Sequence, residues 1–180
     1  MGIVHKILPH YTYDDYVHWE GNWELIEGFP IAMSPMPVPR HQLVAAALTS
    51  EFHFALKKCK SCKAYQPVDY KVQEDTILQP DMLVLCKPPG PKFLDFAPLL
   101  VAEILSPSTA LKDRNTKYEI YQQQKIRYYL IIDINTNSIE IYELSNEQYQ
   151  LAPVNSDGSF DFEFEDECRV NVPLSEIWKE

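Results

Sequence analysis

Apolar residues in this chain gather into short, near-continuous runs, with two stretches of helical period between them. Residues 81–85 (Asp81-Met82-Leu83-Val84-Leu85) and residues 99–105 (Leu99-Leu100-Val101-Ala102-Glu103-Ile104-Leu105) are the two central runs. Runs this short, bounded by prolines, read as buried strands. Each carries one carboxylate, Asp81 or Glu103, where a core strand should carry none. A carboxylate in such a place must be paired, hydrogen-bonded or bound to a cation, because burying it alone is very costly.

The remaining pattern supplies the other elements. Thr12 caps a short first helix, with Asp15 three residues on in the capping-box position. Residues 23–33 alternate loosely as a strand pair or bent hairpin punctuated by Gly28. The proline-rich link over 34–39 excludes regular structure. A long amphipathic helix is predicted over 40–58, with Leu43, Ala47 and Phe54 on its apolar face together with Ser50 and Leu56. Residues 63–72 and 76–85 read as strands around the acidic turn Gln73-Glu74-Asp75, and residues 87–91 as a rigid proline loop. A helix over 113–124, a strand over 126–134 and a turned-back strand over 139–144 follow. The tail, 148–180, yields one or two edge strands and a short terminal helix. This order predicts one α/β domain over residues 1–180, a mixed sheet with a helix on each face.

Composition narrows the class. The chain has 180 residues, 46% of them hydrophobic, enough for a sizeable core. No run approaches the ~20 apolar residues of a membrane span, and residues 1–13 lack a signal pattern, so a soluble cytoplasmic protein is expected. In that compartment Cys59, Cys62, Cys86 and Cys168 are expected as reduced thiols. Cys59-Lys60-Ser61-Cys62 is a lone CxxC without the second pair that a zinc site wants. The net charge of −10 lacks the basic footprint usual for nucleic-acid binders, although a local basic patch can act within an acidic protein.

On an extended strand Val101, Glu103 and Leu105 share one face. Asp81 would join Glu103 from the neighbouring strand, and the Ile104 carbonyl adds a third oxygen. That donor set suits a hard divalent ion, Mg2+ or Mn2+, with positions left for water and phosphate. The plainer reading is that Asp81 merely opens a strand and Glu103 pairs with a lysine.

Several words in fixed order carry a resemblance: Trp23 to Gly28, Ser34-Pro35 followed by Arg40-His41, Pro80-Asp81, Glu103 to Thr109, and Asp113 with Lys117. They resemble the Uma2 (DUF820) family of the PD-(D/E)XK nuclease superfamily. The resemblance implies a restriction endonuclease-like fold, Mg2+-dependent (or Mn2+-dependent) hydrolysis of phosphodiester bonds in DNA, with RNA as the other candidate substrate, and Asp81 and Glu103 as catalytic metal ligands. One departure matters, since Leu105 stands where the superfamily keeps its lysine. The resemblance offers Lys117 as the displaced catalytic lysine, four residues after Asp113 on one helical face; its plainer role is an exposed ion pair. It also keeps acids at Glu24 and Glu27, of which Glu24 is expected to complete the metal shell. His41, at the mouth of the long helix, and Lys112 and Arg114 are expected to meet phosphate. Duplex cutting further implies a two-fold homodimer, with the apolar strand over 139–144 as its contact. The alternative is a non-catalytic member of the fold that binds nucleic acid or a protein partner, which the acidic charge and Leu105 favour.

Overall fold

The computed structural model describes residues 8–33, 36–165 and 167–179. The Ser34-Pro35 word and the start of the expected signal-free N-terminus lie outside them. In chain order the elements are α1 (Tyr13–Tyr16), β1 (Trp23–Ile26), β2 (Phe29–Ala32), α2 (Pro39–Ala55), a 3-10 turn (Leu56–Lys58), β3 (Lys63–Tyr65), β4 (Tyr70–Gln73), β5 (Thr76–Leu78), β6 (Met82–Leu85) and β7 (Leu100–Ile104). Next come α3 (Ala110–Lys112), a π-helical turn (Asp113–Lys117) and α4 (Tyr118–Gln123) without a break. The chain finishes with β8 (Tyr128–Asp133), β9 (Ser138–Ser145), β10 (Gln148–Ala152), β11 (Phe160–Glu163), β12 (Arg169–Val172) and a 3-10 turn (Leu174–Trp178).

Local chemistry explains the punctuation. The Asp15 carboxylate accepts the Thr12 backbone N–H at 2.9 Å and so closes the expected capping box. Glu27 and Gly28 both have positive φ, as a two-residue hairpin turn between β1 and β2 requires. Gly28 has a second constraint, because a Cβ there would lie 2.3 Å from the His10 ring. Pro67 and Pro80 interrupt the two strand runs expected over 63–72 and 76–85. Each run therefore splits, and its halves join different sheets.

β3 and β6 enter a six-stranded mixed sheet of order β10-β9-β8-β7-β6-β3, in which only β7 and β8 run parallel. β4 and β5 enter a four-stranded antiparallel sheet of order β2-β1-β5-β4. Side-chain parity in the larger sheet then sorts the core. Met82, Val84, Leu100, Ala102, Leu130 and Ile132 face α2 and the β11–β12 hairpin. Leu83, Leu85, Val101, Leu105, Tyr129 and Ile131 face α4 and the smaller sheet. Glu103 lies between Val101 and Leu105 and falls on the second face. The α/β architecture, a mixed sheet flanked by helices, is the one expected.

Three expectations are corrected. The buried stripe of α2 is His41, Val44, Leu48 and Phe52, whereas Leu43 is 52% exposed and Phe54 is 71% exposed. Both stripes have helical spacing, and packing decides between them. The Phe52 ring lies 5.1 Å from Phe162 of the late hairpin, a contact that local periodicity cannot reveal. Next, β9 is no edge, since it pairs with β8 on one side and β10 on the other, so residues 139–144 offer no open strand edge to a second copy. Finally, the cysteines expected as thiols form two disulfides, Cys59–Cys168 and Cys62–Cys86. The two CxxC residues sit past the end of α2, where each meets a partner distant in sequence. Among the described residues no helix is long and apolar enough to cross a membrane.

The position of the stripe has a measurable consequence. Leu48→Ala should cost about 2–5 kcal/mol in urea unfolding, and Leu43→Ala should change stability by less than ~0.5 kcal/mol. Equal losses would mean that α2 buries the other stripe.

Candidate active site

The ladder between β6 and β7 sets the first two residues of the site. Met82 pairs with Ala102 in antiparallel register, and one further step places Asp81 opposite Glu103. Directly opposed residues share a face, so both carboxylates address the same side of the sheet. The Ile104 N–H donates to Asp81 Oδ2 at 2.7 Å, which ties the Asp81 side chain to the end of β7. From the first turn of α2 the buried His41 donates through Nε2 to the Ile104 carbonyl at 3.1 Å and stands 3.5 Å from Asp81 Oδ2. Burial disfavours the charged imidazole, but Asp81 and the Ile104 carbonyl outweigh it and raise the His41 pKa.

The π-helical turn supplies the cation. Such turns are rare inside helices and recur at functional sites. This one turns both Asp113 and Lys117 into the protein. Lys117 is 1% exposed, contrary to the surface pair that its spacing alone allows. Its Nζ lies 2.6 Å from Glu24 Oε1, 2.8 Å from Glu103 Oε1 and 3.7 Å from Asp113 Oδ1. Burial works against the ammonium, but Glu103, Glu24 and Asp113 together raise its pKa and keep it charged. Leu105, at the motif lysine's position, is buried on the same face among apolar neighbours.

Glu24 is fully buried and its oxygens are committed. Oε1 also accepts the Gln79 N–H at 2.9 Å, and Oε2 binds the Lys112 ammonium. Burial would push its carboxyl up, yet Lys117 and Lys112 hold it below the usual range. Glu24 therefore anchors the two lysines, the role its contacts give it in place of the expected open metal ligand. Lys112, expected at phosphate, is one of those anchored groups. Arg114 forms a two-point pair with Glu140 at 2.6 and 3.0 Å and does not line the cavity described below.

Tyr121 is a site residue that the sequence analysis does not single out. Its hydroxyl donates to Glu103 Oε1 at 2.6 Å. The signal was present, since Asp113, Lys117 and Tyr121 recur every four residues and so share a helical face. Tyr129 supports the same turn by donating to the Asp113 carbonyl at 2.9 Å. Burial pushes the Glu103 and Asp113 carboxyls up. Asp113 Oδ1 is a buried atom without a hydrogen-bond partner among the described residues.

Asp81, Glu103, Asp113, Lys112, Lys117 and His41 line one cavity of about 520 Å³, with Leu105, Met33 and Met36 among its apolar walls. Both bonds of Glu103 fall on Oε1, which leaves Oε2 to face that space. Among the described residues no ready cage of three or more acids, histidines or cysteines exists, because the Lys117 ammonium sits between Glu24, Glu103 and Asp113. Asp81, Glu103 and Ile104 line the cavity, and their carboxylate and carbonyl oxygens are hard donors. Counted formally, Glu24, Asp81, Glu103 and Asp113 outnumber Lys112 and Lys117 by two negative charges. A divalent cation balances that excess, so the donor set fits one.

The profile of the Uma2 family, described as "Putative restriction endonuclease", matches residues 13–165. An uncharacterized protein of Synechocystis sp. is 26% identical over 152 residues, covering 78% of this chain and 77% of its own. Among solved structures, a "putative nuclease belonging to DUF820" from Anabaena variabilis superposes with a TM-score of 0.66 at 20% identity, over 81% of this chain and 89% of that one. At that identity the likeness speaks for the fold.

Removing the buried ammonium tests the electrostatics without any substrate. Lys117→Met keeps bulk but leaves Glu24, Glu103 and Asp113 facing one another, which should cost about 3–5 kcal/mol near neutral pH. Glu103 and Asp113 already have raised folded-state pKa values. In the variant they should hold protons that the unfolded chain releases, and stability then falls as pH rises through the folded values. Unfolding at about pH 5 and about pH 8 should therefore show the smaller loss in acid. A loss independent of pH would mean that packing, not charge, holds Lys117.

Proposed function

Because the chain belongs to the Uma2 family, we propose that it is a metal-dependent nuclease that hydrolyses phosphodiester bonds of DNA in the cavity shared by Asp81, Glu103 and Lys117. The observation that carries this reading is the Lys117 ammonium, bonded to Glu103 from the following helix while Leu105 fills the motif lysine's own position. The charge that the superfamily draws from a strand is thus available from a helix turn.

Asp81, Glu103 and the Ile104 carbonyl would hold a Mg2+ or Mn2+ ion. When bound, such an ion lowers the pKa of water and offsets charge building on phosphate. The chain's own residues do the positioning. His41 and the Ile104 N–H fix the Asp81 carboxylate. Tyr121 and Lys117 fix Glu103 through Oε1 and leave Oε2 to the cavity. Lys117, held charged by its acidic neighbours, stands beside the reacting phosphate and stabilises developing negative charge there. Glu24 keeps Lys117 and Lys112 in place from the neighbouring sheet. The apolar walls exclude water and so strengthen these interactions.

A non-catalytic reading has one observation in its favour: both lysines at the cavity already spend their charge on Glu24 and Glu103. Two measurements separate the readings. Mn2+ at a hundredfold excess over its Kd should stabilise the wild type by about 2.7 kcal/mol, and Asp81→Asn with Glu103→Gln should abolish that shift. DNA cleavage with Mg2+ or Mn2+ should vanish in the same double variant and in Lys117→Met assayed below its melting point. A metal-induced shift without cleavage of any DNA or RNA would leave the non-catalytic reading standing.

A further inference from the structure

A second depression, of about 290 Å³ and lined by Trp23, Asn22 and Glu20, opens beside the catalytic cavity. Ala32, Met33 and Met36 line both, so they form a shared wall. A path thus leads from Asp81 and Glu103, past two methionines, to the Trp23 ring. That ring is held in place. Its Nε1 donates to the Glu20 carbonyl at 2.7 Å, and Trp19 packs against it in an edge-on contact at 5.6 Å. Met36 is 72% exposed, so its side chain is open to a ligand.

The cations near this path are engaged within the protein. Lys112 binds Glu24, Lys117 binds Glu24 and Glu103, Arg114 binds Glu140, and Arg40 donates to Asn137 at 2.8 Å. The chain as a whole carries −10. Duplex DNA is gripped mainly through phosphates, by lysines and arginines that release its counterions. Unpaired strands offer base faces instead, which stack on aromatic rings and seat against apolar walls. The surface here is poor in the first resource and rich in the second.

From this arrangement we infer that the site takes single-stranded nucleic acid in preference to duplex. The base beside the scissile phosphate lies in the 520 Å³ cavity against Met33, Met36 and Leu105, and the neighbouring base lies against Trp23. Both DNA and RNA present these faces. The inference rests on the nuclease reading for the identity of the reacting bond, but the binding it requires can be measured without cleavage.

The test titrates the protein in EDTA against fluorescein-labelled oligonucleotides of about 15 nucleotides, near the span of a single-strand site. Single-stranded DNA, single-stranded RNA and the same DNA as duplex are compared by anisotropy. A single strand should bind at least about tenfold more tightly than duplex, and the DNA and RNA arms tell which strand is favoured. Trp23→Ala should weaken single-strand binding about tenfold, the loss of one stacked base, and Trp23→Phe should restore most of it. Met36→Glu should weaken it too without moving the thermal midpoint, and it decides the matter should Trp23→Ala fail to fold. Duplex bound as tightly as single strand, or all variants binding single strands like the wild type, overturns the inference. Cleavage run in parallel with Mn2+ separates the two ideas. The expected binding pattern without cutting counts against the nuclease reading alone, and duplex cutting indifferent to Trp23→Ala counts against this inference alone.

Discussion

A lysine ammonium buried between two glutamates joins the two sheets of this protein. Lys117 reaches Glu24 on the smaller sheet and Glu103 on the larger one, from a helix turn that belongs to neither. Unpaired, each of those carboxylates would be a buried charge, so the position of β1 over β7 depends on the ammonium staying charged. Tyr121 and Gln79 add neutral donors to the same two acids. The cluster thus serves architecture and chemistry together. It aligns the layers, and it leaves a defined face of Glu103 turned to the cavity.

The cluster is stable without being balanced. Its acids exceed its ammoniums, and burial, more than that excess, raises the Glu103 and Asp113 carboxyls. Lys117 takes the central place between Glu24, Glu103 and Asp113, and among the described residues no ready cage of acids exists. Asp81, Glu103 and Ile104 line the cavity together.

Strand parity links the rest. Because Glu103 sits between Val101 and Leu105, it shares their face, and that face is covered by α4 and the smaller sheet. The opposite face is closed by α2 and the late hairpin, whose Cys168 is bonded to Cys59 beyond the helix end. His41 is the exception that serves the site from the α2 side, at the helix's first turn, where it can reach the Ile104 carbonyl at the strand's end. The cavity therefore opens at the ends of β6 and β7, bounded by α2, the π turn and the methionines after β2.

Sequence alone determined the parts that depend on period and local chemistry. Proline-bounded apolar runs identified β6 and β7, parity placed Glu103 with Val101 and Leu105, a capping box started α1, and spacing by fours paired Asp113 with Lys117. The pairing of Met82 with Ala102, which brings Asp81 opposite Glu103, is seen only in the structure. Tertiary structure decided whatever depends on contacts distant along the chain. Two stripes of α2 have helical spacing, and only Phe162 and the sheet select Val44, Leu48 and Phe52 over Leu43 and Phe54. Glu24 and Lys117 are 93 residues apart, so no local pattern could show that Glu24 pairs with lysines, or that Lys117 is buried. The cysteines likewise depend on proximity, which spacing in a CxxC word does not encode. Periodicity reports which face a residue is on. It does not report what arrives to cover that face, and in this protein the covering elements carry half of the site.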